Sequence, residues 1–222
     1  ADDLAALWRI NNMKKYIALI LTFAIMFSTV ACTKNNSETN NSEAVATTNS
    51  DFTIFASDNY CSTTAETNEA VFISLDVNGN IEGQAYEYRP EESTDEYVAG
   101  TIYGNVFTLT LSDLTAVDER TYSATVSAIT YEYEPFTEEI EEVTKDDGTK
   151  GNVRNVYTKP LDGCENTKVY LYKEDIAIIF MPSSAKPYLA AFGLDVVTDG
   201  ALLGTNALYF EGNQIAFVRL PE

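Results

Sequence analysis

The chain has 222 residues, with 34 acidic side chains against 14 basic ones, a formal charge of -20, three cysteines, one tryptophan and no histidine. The missing histidine excludes Ser-His-Asp and Cys-His catalysis and His-ligated zinc. The charge argues against nucleic acid and anionic membrane as partners, because phosphates are bound by cations, and an apolar fraction of 45% is that of a globular protein.

Lys14 and Lys15 precede an apolar run from Tyr16 to Phe27, then come the short residues Ser28-Thr29-Val30-Ala31, and then Cys32. A basic start, an apolar stretch shorter than the ~20 residues that span a bilayer, and small residues before a break make a secretory signal. Val30-Ala31-Cys32 resembles the lipobox of bacterial lipoproteins, although Thr29 stands where that family usually has an aliphatic residue. The resemblance covers the leader alone. It implies lipidation at Cys32, and Thr33 after it implies the outer membrane, facing the periplasm or the surface. Residues 1–12 precede Met13 and are read as an upstream extension, with 13–31 as the signal peptide.

Residues 32–51 are rich in Asn, Ser, Thr and Glu. Such a segment buries too little surface to offset its ordering entropy, and is read as a flexible tether reaching roughly 25 Å. Residues 52–222 are read as a single all-β domain: Tyr, Phe, Val, Ile and Thr recur in short runs separated by Gly, Asn and Asp. The expected architecture is an antiparallel, hairpin-rich sandwich or partly closed barrel of roughly eight to ten strands.

Register arguments locate hairpins in chain order. Around Asn78-Gly79, the runs Val71-Ile73-Leu75 and Ile81-Gly83-Ala85 share a face only across an odd loop, so a three-residue loop with a left-handed Gly79 is expected. A two-residue turn at Gly104-Asn105 pairs Ile102 with Phe107, Gly100 with Leu109 and Val98 with Leu111. Between Tyr122 and Tyr133 the alternation changes phase, which calls for a bulge or sharp bend near Ala128. Glu174-Asp175 joins Val169–Lys173 to Ile176–Met181, and residues 211–214 join Ala207–Phe210 to Ile215–Val218. Residues 184–192 hold a short helical turn at most, limited by Pro182 and Pro187.

The candidate sites are few. Cys61 and Cys164, exported past the reducing cytosol, are expected to form a disulfide. Asp76-Val77-Asn78-Gly79-Asn80 opens like a calcium loop, but Ile81 stands where such loops need Gly, so a hairpin turn is preferred. Glu138, Glu139, Glu141, Glu142, Asp146 and Asp147 form an acidic run, read as solvated and at most a weak metal site. Tyr86, Tyr88, Tyr103, Tyr131 and Tyr133, with Tyr97 among them, are the candidate binding surface, since tyrosines beside carboxylates stack ligands or anchor a partner. No residue is singled out as catalytic, and no cofactor is implied.

The function expected from these features is a non-catalytic, acidic binding module of the cell envelope. A cationic protein or peptide is its expected partner, drawn by long-range attraction. A lipocalin-like carrier of a small apolar ligand is the first alternative. A carboxylate-dependent glycoside hydrolase or glycan binder is the second.

Overall fold

In the computed structural model the described residues are 51–64, 69–96, 98–144, 150–194 and 200–221. The leader, Cys32, Tyr97, Asp146 and Asp147 lie outside them. Among the described residues eleven strands form one sheet: β1 (Ser57–Thr63), β2 (Ala70–Leu75), β3 (Asn80–Arg89), β4 (Thr101–Ala116), β5 (Thr121–Val126), β6 (Thr130–Tyr131), β7 (Glu138–Thr144), β8 (Lys150–Tyr157), β9 (Lys168–Tyr172), β10 (Ala207–Phe210) and β11 (Ile215–Arg219). Eight of them, in the cyclic order β1-β2-β3-β4-β5-β9-β10-β11, close into an antiparallel barrel. Each barrel strand pairs with its neighbour in the chain, once the excursion through β6–β8 and the segment between β9 and β10 are set aside.

The sixteen residues of β4 make the closure possible. One edge pairs with β3 from Thr101 to Thr110. The other pairs in turn with β8, β6 and β5. A register shift between Ser112 and Thr115, with Asp113 at φ 57°, lets the strand change partner and twist. The β4–β8 pairing is parallel, a departure from the expected all-antiparallel sheet.

Alternation sends Val71, Ile73, Leu75, Ile81, Ala85, Phe107, Leu109 and Leu111 inward, where they meet Phe52, Phe55, Tyr60, Phe210 and Phe217 in one buried cluster. Gly83 lies in this inward register because any Cβ there would enter the Phe107 ring. The barrel is therefore filled by side chains, as small barrels are. A second cluster covers the outer face of β9–β11: Ile176, Ile178, Met181 and Leu189 pack on Tyr209, Ala216 and Val218. Within that cover lies the short helix α1 (Lys186–Ala191), with Pro187 in its first turn, where a missing N–H costs nothing.

Two hairpins form as expected. Asp76 and Asn80 pair around Val77-Asn78-Gly79, Gly79 has φ 87°, and the register runs Leu75↔Ile81, Ile73↔Gly83 and Val71↔Ala85. Likewise Phe210 faces Ile215 and Leu208 faces Phe217. The phase change is a bend: β5 ends at Val126 and β6 begins at Thr130.

Two hairpins do not form. There is no turn at Gly104-Asn105, because β4 runs straight through it and satisfies its backbone on β3. Ile102 accordingly faces away from Phe107. The Glu174-Asp175 hairpin fails because both edges of β9 are already taken, by β5 and β10, so Leu171 pairs with Tyr122 and Leu208 rather than Ile178. Ile178–Phe180 becomes a 3-10 turn instead.

The expected disulfide is also absent. Cys61 and Cys164 are free and buried. Tyr60 points into the barrel, so Cys61 faces outward beside its partners Phe72 and Val218, whereas Cys164 packs in the inner cluster. The barrel wall stands between the two sulfurs. Burial pushes the Cys61 thiol up to about 12 and the Cys164 thiol up to about 11, so both stay protonated at neutral pH.

Candidate functional site

Beyond the barrel, β8 and β7 extend the sheet from the N-terminal half of β4, in the order β3-β4-β8-β7. The registers align one face of this extension. Gln84 lies opposite Val106 and Tyr86 opposite Gly104. Ile102 lies opposite Asn155 and Gly104 opposite Tyr157. Asn155 lies opposite Glu139 and Val153 opposite Glu141. The outer face therefore carries two tyrosines, two carboxylates and two amides over a small apolar base. They line a cleft of about 180 Å³ together with Tyr133. Gly104 is its floor, and a Cβ there would run into the Ala85 carbonyl oxygen.

Tyr133 reaches the cleft from the loop after β6. Its ring stacks on Tyr157 with centroids 4.2 Å apart and planes 7° from parallel. Asn105, 4% exposed, fixes that loop. Its amide donates to the carbonyls of Tyr133 (2.9 Å) and Thr158 (3.0 Å), and its Oδ1 accepts from the Tyr133 N–H (3.3 Å). One buried amide thus clasps both tyrosine-bearing segments.

The Tyr157 hydroxyl donates to Glu139, and Asn155 donates to Glu141 at 3.1 Å. Burial, the Glu139 hydrogen bond and the nearby carboxylates push the Tyr157 phenol well above its ordinary value. The charge of Glu132, then burial, raises Tyr133 in the same direction. Both rings stay neutral at physiological pH, and the Glu139 and Glu141 carboxylates share the cleft lining with them. That combination favours an ammonium or guanidinium group, attracted by the carboxylates and by the rings.

The five tyrosines named from the sequence separate. Tyr86 and Tyr133 line the cleft. Tyr88 shares the outer face of β3, and its hydroxyl donates to the Ala99 carbonyl at 2.7 Å, tying down the β3–β4 loop. Tyr103 points to the opposite face, donating to Glu92 at 2.6 Å with Arg89 4.5 Å above its ring. Tyr131, half-buried, packs against Phe107 at the margin of the barrel core. Tyr157 and Asn105 are essential to the cleft and were not singled out. The signal for Tyr157 was the alternation Val153-Asn155-Tyr157 on a strand next to the acidic run.

The four glutamates of the acidic run stand on β7. Glu138 pairs with Arg154, and Glu142 with Lys150 at 2.6 Å. Among the described residues no three acidic or thiol groups are arranged to hold a metal ion. The Asp76 carboxylate is occupied by its own turn, accepting from the N–H groups of Asn78 and Asn80, both at 2.8 Å, and from the Asn80 amide at 2.9 Å.

A second pair of carboxylates meets at the end of the inward register of β3. Burial, followed by the charge of Glu87, raises the Glu69 carboxyl. Glu87 itself is gripped by Arg89 through two hydrogen bonds, at 2.9 and 3.1 Å, and Arg89 also holds Glu92 at 2.9 Å. This arrangement ties the end of β3 to the loop that follows it and commits Glu87 to an ion pair.

Fold and site together define a closed, eight-stranded up-and-down β-barrel whose sheet is extended by added strands and carries a tyrosine-glutamate cleft. Family models, curated proteins and solved structures give no match to this chain.

Proposed function

We propose that this protein is a non-catalytic envelope lipoprotein that binds cationic segments of a protein or peptide through the cleft. The observation that carries this reading is the stacked Tyr133–Tyr157 pair with Glu139 and Glu141 on the same lining. The formal charge of -20 adds long-range attraction for such a partner. The filled barrel interior favours this reading over carriage of an apolar ligand. In the same proposal, lipidation at Cys32 tethers the protein to the outer membrane, and intact mass of the membrane-extracted chain tests it. An unmodified chain retaining residue 1 counts against the anchor.

Calorimetric titration of the purified protein tests the cleft. The tripeptide Lys-Gly-Lys binds, Glu-Gly-Glu does not, and the lysine affinity falls several-fold between about 0.05 and 0.5 M salt. The variant Tyr157→Ala, or the pair Glu139→Gln and Glu141→Gln, weakens binding at least ~5-fold, about 1 kcal/mol. Equal binding of both tripeptides, or binding indifferent to salt, overturns the reading.

A further inference from the structure

Closing the barrel occupies both edges of its eight strands, and β8 lies between β4 and β7. Among the described residues no strand pairs with the outer edge of β7. The direction of its backbone groups follows from β8. The Arg154 N–H donates to the Gly100 carbonyl at 3.1 Å and the Thr158 N–H to the Gly104 carbonyl at 3.0 Å, so the even-numbered residues of β8 face β4. The Tyr157 N–H donates to the Thr137 carbonyl at 2.9 Å, so the odd-numbered ones face β7. Val156, Arg154 and Asn152 lie opposite Glu138, Ile140 and Glu142. Those three β7 residues therefore turn their N–H and C=O groups outward, onto the open edge.

An open edge is a template for another strand, and proteins usually blunt it with charge. Here four of the seven residues of β7 are glutamates. Such an edge repels a second copy of itself and attracts a strand of opposite charge. The geometry points to β7 as a site of strand addition, where an extended cationic peptide pairs antiparallel with Glu138, Ile140 and Glu142. Alternate Lys or Arg side chains of that peptide then lie over the cleft face, beside Glu139, Glu141 and the Tyr133–Tyr157 pair. The inference rests on the cleft being a cation site and adds backbone recognition of an extended segment, which a lone cationic side chain does not need.

The test separates the two. The heptapeptide Lys-Thr-Lys-Thr-Lys-Thr-Lys is titrated into the full chain, alongside a version N-methylated on the threonine amides and one N-methylated on the lysine amides. In the register that sends lysine over the cleft, threonine N–H groups bond to β7 and lysine N–H groups face solvent. The unmodified and lysine-methylated peptides bind alike, and threonine methylation weakens binding at least ~10-fold, about 1.4 kcal/mol. Equal behaviour of the two methylated peptides, or the reverse order, overturns strand addition. If the heptapeptide and Lys-Gly-Lys both fail to bind, the cleft reading falls with it; if both bind and methylation is without effect, the cleft reading stands alone.

Discussion

Asn105 illustrates how one side chain places a site it does not line with its own charge. Its amide is buried and spends its hydrogen bonds on two loop segments, at Tyr133 and Thr158. Asn105→Leu keeps the volume and removes the hydrogen bonds to the Tyr133 and Thr158 carbonyls, each of which contributes about 0.5–1.5 kcal/mol. Urea unfolding reads that loss, and the same variant loses Lys-Gly-Lys binding because Tyr133 is released from Tyr157. Unchanged stability with unchanged binding contradicts the clasp. Asp76 gives a pH-dependent counterpart. Burial raises its carboxyl, but the hydrogen bonds from Asn80 and Asn78 outweigh this and hold it below the usual range. A depressed carboxyl contributes stability above its unfolded value, near 3.9, and loses it as pH falls through the folded value. The turn is exposed, so solvent screening limits the effect to about 1 kcal/mol or less. Asp76→Asn is therefore less stable than the parent at pH 7, and the two unfolding midpoints converge between about pH 4 and pH 2. A gap that persists at pH 2 assigns the loss to something other than the charge.

At the scale of single elements, the face on which a residue stands decides its chemistry. Cys61 is outward on β1 and Cys164 is inside the barrel, so oxidation cannot join them without opening the wall. The expected result is that neither reacts with a thiol reagent in the native protein at neutral pH, and both are labelled after denaturation without reductant. Peptide mapping after labelling distinguishes them from Cys32, and a linked Cys61–Cys164 peptide contradicts the structure. The same logic explains which hairpins were legible in the sequence. At Asn78-Gly79 and at residues 211–214 the turn chemistry and the alternation agree, and both are local. At Gly104-Asn105 the residues also suit a turn, yet Gly104 is glycine because β3 passes too close for a side chain. A glycine required by a neighbouring strand and one required by a turn look the same along the chain.

At the scale of the molecule, closure consumes the edges that isolated hairpins would have used. β9 has neighbours on both sides, so the apolar run after it becomes a cover for the outer face instead of another strand. The long β4 serves four partners along its two edges, and the excursion through β6–β8 is laid along it as an extension of the same sheet. The cleft exists only because of that arrangement: β3, β4, β8 and β7 each contribute to its lining. Tyr86 and Tyr133 stand beside carboxylates in the chain and reach the cleft, whereas Tyr131, with the same setting, packs against the core, and Tyr103, flanked by Ile102 and Gly104, faces the other side.

The sequence by itself determined the β character, the acidic charge, the absence of histidine chemistry, the two tight hairpins and the short helical turn near Pro187. These follow from side-chain composition, a two-residue alternation and turn residues, all of which act over a few neighbours. Only the tertiary structure decided barrel closure, the parallel docking of β8, the separation of Cys61 from Cys164, and the meeting of Tyr133 with Tyr157. Those depend on which strand pairs with which across long stretches of chain, and an alternating pattern states which face is apolar without naming the strand that will lie beside it.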